Sequence, residues 1–307
     1  MKVAALDLGT NTFLCLIVEG DNQSGITKVL ADHAQVVRLG QDIAKTGRLH
    51  PEAIARARAC LTEFKKIIDL HKVDRVLAMA TSAARDAENG EELFSIGREL
   101  QIPIEIIPGE DEARITYQGA TAGSPASGTN LIVDVGGGST EFILGKGKDI
   151  LFGESLNIGG VRLTEKYISE QPVSSHEAQE LEKHIESQVA HIKKQMNNHP
   201  IDQILAVAGT PTSIAAVELG GYDPSKVDGY FLSREKLKYW VTEFGQTTVE
   251  EKKVKYNLGG RADIIFAGSM ILLKTIEAFS KPGMTVSIKG VRYGVALEIF
   301  RRVSAGL

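Results

Sequence analysis

The sequence predicts an α/β protein of two similar lobes, and three observations carry that prediction. A glycine-rich turn between two apolar runs occurs twice, as Asp7-Leu8-Gly9-Thr10-Asn11-Thr12 and as Asp134-Val135-Gly136-Gly137-Gly138-Ser139-Thr140-Glu141. Apolar runs of strand length alternate with amphipathic runs of helix length on both sides of a small-residue stretch, Gly119 to Gly128,. At 307 residues the chain also exceeds the usual size of a single hydrophobic core,. The first lobe is expected over residues 1–123 and the second over 124–294, with the C-terminal helix, about 295–307, returning to the first.

Each element has a local reason. Val3 to Leu6 is unbroken and aliphatic, as in a strand buried on both faces, and strands are predicted next at about 12–19 and 27–38,. Pro51 suits the first turn of a helix to about Leu70, in which Ile54, Ala57, Leu61, Phe64 and Ile68 form one apolar face,. A strand at Arg75 to Ala80, a helix at about 90–99, a strand at Ile104 to Ile107 and a helix at about 110–118 continue the alternation,. The stretch from Gly119 to Gly128 then reads as a hinge,. Beyond it the plan repeats, with strands at about 130–135, 139–145 and 150–157. Ser174 and Glu177 behind Val173 form a capping box with a hydrophobic staple, opening a helix to about Asn197,. A strand at Gln203 to Ala208, helices near 211–219, 233–245 and 261–279, a strand at Met284 to Ile288 and a helix at about 291–303 complete the chain.

Composition narrows the class. With 43% hydrophobic and 24% charged residues the chain is an ordinary globular one, and no apolar run reaches the length of a membrane span,. Met1-Lys2 leads straight into a strand, unlike a signal peptide, so a cytoplasmic location and no membrane partner are expected,. Cys15 and Cys60 read as buried core thiols, without a disulfide framework or a thiolate metal site,. A net charge of −4 argues against a general polyanion-binding surface,. Lys193-Lys194, Lys252-Lys253-Lys255 and Arg301-Arg302 accordingly read as solvated helix faces, and no nucleic-acid partner is expected,. His184 and His191 are too far apart along one helix to share a metal and are expected to face solvent,. Tyr239 and Trp240, with Leu237 and Phe244, read as core,.

The duplicated turn carries the chemistry. A strand-end aspartate is followed by glycine and hydroxyl residues, whose N–H and O–H groups can hold phosphate,. No Lys-Ser/Thr follows the glycines, so neither turn is a P-loop; a strand rather than a helix comes next, so neither is a dinucleotide fingerprint,. One such turn is an ordinary hairpin. Two, with aspartate in the same place, point to a phosphate clamp.

Together with Pro108-Gly109-Glu110-Asp111-Glu112-Ala113-Arg114, Ala208-Gly209-Thr210 and Lys289-Gly290-Val291-Arg292-Tyr293-Gly294, the two turns resemble, in order and along the whole chain, the exopolyphosphatase and guanosine pentaphosphate phosphohydrolase family. The resemblance implies two ribonuclease H-like lobes of the actin, sugar kinase and heat-shock chaperone superfamily, with substrate in an interdomain cleft. It implies Glu112 as the catalytic glutamate that orients or deprotonates the attacking water, although the acidic run Glu110 to Glu112 also suits the first turn of a helix,. Asp134 and Glu141, with Asp7 ranked below them, would hold Mg²⁺, and Asp134 would count with Glu112 as catalytic,. Gly9, Thr10, Asn11, Thr12, Arg85, Gly136, Gly137, Gly138, Ser139, Gly209 and Thr210 would bind phosphate,.

The expected activity is Mg²⁺-dependent release of terminal orthophosphate from inorganic polyphosphate. Hydrolysis of guanosine pentaphosphate, or alarmone sensing with little turnover, is the alternative; a kinase of the same superfamily and an actin-like assembly protein stand further off. A homodimer is common among such relatives. Ending at Leu307, the chain resembles a short two-lobed form, for which short polymers are the expected substrates. It departs from the family at Ile288-Lys289-Gly290-Val291, where an acidic residue and Ala or Leu are frequent, and this leaves the roles of Lys289 and Arg292 open.

Overall fold

The computed structural model describes residues 1–107, 109–123, 128–197 and 199–307; Pro108 of the acidic segment and residues 124–127 of the expected hinge lie outside the described residues. Its contacts divide the chain into two compact units, Met1–Pro125 with Lys289–Leu307, and Ala126–Ile288.

The first unit contains β1 (Lys2–Leu8), β2 (Thr12–Asp21), β3 (Gly25–Val36), α1 (Ile43–Thr46), α2 (Pro51–His71), β4 (Arg75–Ala80), α3 (Ser82–Asp86), α4 (Glu91–Glu99), β5 (Ile104–Ile106) and α5 (Gly109–Ala120). Its sheet runs β3-β2-β1-β4-β5, with β1 to β3 antiparallel and β4 and β5 parallel to β1. The unbroken apolar run of β1 has a simple cause, since both sheet faces are covered. Ala4, Leu6 and Leu8 pack with Ala57, Leu61 and Phe64 of α2 and Leu93 and Ile96 of α4. Val3 and Ala5 point the other way, to a second core formed with Ile115 of α5 and Val295, Ile299 and Phe300 of the C-terminal helix.

The second unit contains β6 (Thr129–Val135), β7 (Thr140–Lys146), β8 (Asp149–Leu156), α6 (Gly160–Tyr167), α7 (Ser175–Gln195), β9 (Gln203–Val207), α8 (Gly209–Glu218), α9 (Pro224–Val227), β10 (Phe231–Ser233), α10 (Arg234–Gln246), α11 (Val249–Tyr256), a 3-10 turn at Gly259–Arg261, α12 (Ile265–Ala278) and β11 (Gly283–Val286). The C-terminal helix of the first unit, Val291–Ser304, is α13. The second sheet runs β10-β11-β9-β6-β7-β8. Read from β8, five strands repeat the order and directions of the first sheet, and β10 is added antiparallel at the far edge. Both units are therefore ribonuclease H-like.

Several expectations change in detail. Gly119 and Ala120, read as the start of a hinge, close α5 instead. A Cβ at Gly119 would lie 2.1 Å from the carbonyl oxygen of Gly290, and one at Gly294 would lie 1.9 Å from that of Ile115, so these glycines let α5 and α13 touch at backbone distance,. Tyr239 is 57% exposed, whereas its neighbour Trp240, about a quarter-turn round α10 and in edge contact with it, is buried,. His184 is half-buried against Tyr167, the ring centroids 5.3 Å apart, and burial lowers its pKa. Cys15 and Cys60 are free and buried, with both thiols pushed up to about 12 by burial.

Candidate active site

The two glycine turns are built on the same backbone bond. Gly9 N–H donates to the Thr12 carbonyl at 3.2 Å, and Gly136 N–H to that of Ser139 at 3.0 Å. Neighbouring chain takes up the carbonyls in between. Thr10 accepts from Gly40 N–H, and Asn11 from Val37 and Arg38, residues expected at the end of β3 that leave the strand to make these bonds. In the second turn Gly136 accepts from Gly160 N–H, and Gly137 from Val161 and Arg162, all at the start of α6. Arg162 Nε donates to Gly138 O at 2.9 Å. In a planar trans peptide the N–H points opposite the C=O. Fixing the carbonyls on one side therefore turns the N–H groups of Asn11 and Thr12, and of Gly137, Gly138 and Ser139, to the other, the arrangement that receives an anion.

Carboxylates distinguish the turns. Asp134 of β6 stands directly opposite Glu141 of β7, and the two residues are 7% and 3% exposed. Directly opposed residues of an antiparallel pair share a sheet face, so two buried acids lie side by side. Ser155 Oγ donates to Glu141 Oε1 at 2.7 Å. The corresponding neighbour of Asp7 is Leu14. Among the described residues no group of three or more His, Cys, Asp or Glu gathers as a metal site. Two carboxylates, with the other positions left to water and phosphate oxygens, are nevertheless the donor set that suits magnesium. The pair at Asp134 and Glu141 fits that ion.

In the first unit, β4 ends at Ala80 and the short α3 follows, carrying Arg85; Glu112 lies in the first turn of α5. Glu112 is 3% exposed, and its Oε2 is 3.2 Å from Arg85 Nη1, which also donates to Ile107 O at 3.3 Å. Arg85 is thus held against the glutamate rather than spread over the surface. The hydroxyls of Thr10 and Ser82, at the start of α3, are 2.9 Å apart and tie the first turn to the helix that presents Arg85.

Gly209 and Thr210 are the first residues of α8, so the helix starts two residues before Pro211. Ala208 before them has φ 73°, a costly conformation for a residue with a side chain and of the kind that gathers at functional sites,. A Cβ on Gly209 would lie 2.4 Å from Arg261 Nε, so a guanidinium lies directly against this helix start. Burial lowers the pKa of Arg261 from its ordinary value. Sequence reasoning missed Arg261, which was placed at the head of a helix from 261; the helix begins at Ile265, and the preceding residues form a separate turn. It missed Arg162 as well. Neither arginine lies in a motif, and only tertiary contact marks them.

The open positions also acquire partners. Arg292 forms a bidentate pair with Asp32, both contacts 2.9 Å, and Lys289 Nζ donates to Ala122 O at 3.0 Å. Of the basic runs, Lys193 caps the Ala278 carbonyl, while Arg301 and Arg302 pair with Glu298 and Arg302 also with Glu105. Lys252, expected on a solvated face, is wholly buried. No helix among the described residues is long and apolar enough to cross a membrane.

Residues 16–303 match the Ppx/GppA phosphatase family. The chain is 31% identical over 319 residues to "Exopolyphosphatase 2" of Mycobacterium tuberculosis, covering 97% of this chain and 98% of that protein. It is 28% identical to "Guanosine-5'-triphosphate,3'-diphosphate pyrophosphatase" of Photobacterium profundum, covering 98% of this chain and 59% of that one. A crystal structure of the Aquifex aeolicus member of the Ppx/GppA family superposes with a TM-score of 0.81 at 34% identity, over 99% of this chain and 98% of that chain.

Proposed function

Because the chain belongs to the Ppx/GppA phosphatase family, we propose that it hydrolyses terminal phosphoanhydrides and releases orthophosphate from inorganic polyphosphate. The observation that carries the reading is the buried Asp134–Glu141 pair beside a turn whose amides are set for an anion. These two carboxylates would hold Mg²⁺, with Asp7 a lesser contributor; the ion, when bound, neutralises charge on phosphate oxygens. Glu112 receives the water. A carboxylate fixed by Arg85 can accept a hydrogen bond from water and aim its lone pair at phosphorus, and can take its proton as the bond forms,. The amides of both turns, their hydroxyls at Thr10, Thr12 and Ser139, and the start of α8 at Gly209 and Thr210 with Arg261 beside it bind phosphate oxygens,. No covalent phosphoenzyme is needed.

Hydrolysis of guanosine pentaphosphate is the second reading, favoured by the name of the Photobacterium relative. Orthophosphate release with Mg²⁺ from polyphosphates of defined length and from guanosine pentaphosphate separates the two. Glu112→Gln is expected to retain binding and lose turnover by about a hundred- to ten-thousandfold. Near-normal turnover in that variant would remove Glu112 from the mechanism, and binding without turnover of either substrate by the unmodified protein would make it a sensor.

A further inference from the structure

Lys252 is the feature the reaction leaves unexplained. It lies in α11 among exposed charged residues, yet it is 0% exposed. Its ammonium donates to the side-chain oxygen of Gln171, and the amide nitrogen of Gln171 donates to the Asp263 carbonyl at 2.6 Å. A buried cation is costly unless its hydrogen bonds are satisfied, so the bond to Gln171 is one that the fold depends on keeping,. Burial pushes the Lys252 amine down to about 8, and Asp263 and Glu251 oppose that shift.

The far end of this relay reaches a particular segment. Arg261 to Ile264 is a turn closed by Ile264 N–H donating to the Arg261 carbonyl at 3.1 Å. At one end Arg261 lies against Gly209, the start of α8. At the other, a Cβ on Gly160 would lie 3.4 Å from the Ile264 carbonyl, so Ile264 packs on the start of α6. That helix start fixes the carbonyls of Gly136 and Gly137. One short turn therefore touches the start of α8, assigned to phosphate, and the start of α6, which braces the second glycine turn, and the Gln171 side chain bonds to it between those two contacts.

We infer that Lys252 is a positioning residue for phosphate binding, acting through the Gln171 amide to hold the Arg261–Ile264 turn against the starts of α6 and α8. The inference rests on the reading of Gly209 and Thr210 as phosphate contacts. Lys252 itself touches no substrate, and its effect belongs to KM rather than kcat.

Three variants test this in the full chain, each checked for folding by its thermal midpoint and assayed for orthophosphate release from tripolyphosphate with Mg²⁺. Lys252→Met removes the donor to Gln171. Gln171→Glu keeps the ammonium paired but cannot donate to the Asp263 carbonyl, so it remains informative if the methionine variant does not fold. Arg261→Ala removes the residue being positioned. Both relay variants are expected to raise KM about five- to tenfold, the effect of one lost hydrogen bond, with kcat within about twofold. Combined with Arg261→Ala, either is expected to add little further. Folded relay variants with unchanged KM, while Arg261→Ala raises it, would overturn the inference alone. An unchanged KM in Arg261→Ala would overturn the phosphate reading of the α8 start, and the inference with it.

Discussion

The turn at Gly9 and the turn at Gly136 share their closing bond and the outward set of their amides, but they differ in what stands across the ladder from the aspartate. Leu14 faces Asp7, and Glu141 faces Asp134. Their braces differ too. An irregular segment, Val37 to Gly40, holds the first turn, whereas the start of α6 and the Arg162 side chain hold the second. Duplicating a backbone device duplicates its capacity for anions, because amides supply that capacity whatever the sequence. Capacity for a divalent cation needs hard charged oxygens, and a single ladder position decides whether a second one is present.

Substitution of the two aspartates tests this comparison most strongly. Asp134→Asn is expected to cut turnover about a thousandfold, since it would remove one of the two carboxylates proposed to hold Mg²⁺, while Asp7→Asn is expected to cost about tenfold and to leave the Mg²⁺ titration nearly unchanged. Equal losses in steady-state assays would mean that the turns are functionally alike despite Leu14. A finer test makes the second turn copy the first. Glu141→Leu is expected to raise the Mg²⁺ concentration for half-maximal activity about tenfold, with little loss of thermal stability because it relieves the repulsion of two buried acids. An unchanged Mg²⁺ titration would take Glu141 out of the ion's reach.

Much of this was legible in the sequence where local chemistry decides structure. β1 and β6 are unbroken apolar runs ending near aspartate; Pro51 opens α2; Ser174 and Glu177 form the capping box that opens α7. What escaped depends on contacts from far along the chain. β10 is three residues long and exists through its pairing of Phe231 to Ser233 with Gly283 to Thr285. Lys252 looks like Lys253 and Lys255 until Gln171 is brought to it. Tyr239 and Trp240 are adjacent and equally aromatic, and the turn of α10 alone separates them. The Asp134–Glu141 pair lies between these cases. Both acids were named from their place around the turn, but only the register of β6 with β7 sets them side by side.

The last contrast between the units lies in one buried charge from each. Glu298 in the first unit is held down to about 2, first by its hydrogen bonds with Arg301 and further by Arg302 and Arg114, against the cost of burial. Unfolding returns it to its ordinary 4.5. Its stabilisation is thus complete above pH 4.5 and is lost as the pH falls from there towards 2, because the unfolded chain takes up the proton first,. Lys252 in the second unit behaves in the opposite sense. Below pH 8 it is protonated both folded and unfolded, and its burial weighs on the fold in full; between about 8 and 10.5 the fold has released a proton that the unfolded chain still holds, so stability rises with pH,. Each group is expected to contribute at most about 3 kcal/mol across its window. Denaturant unfolding over pH reads this out, with Glu298→Gln flattening the acid limb and Lys252→Met the alkaline one. If Glu298→Gln left the acid limb intact, its three arginines would be serving another partner, and another carboxylate would set the acid dependence of stability.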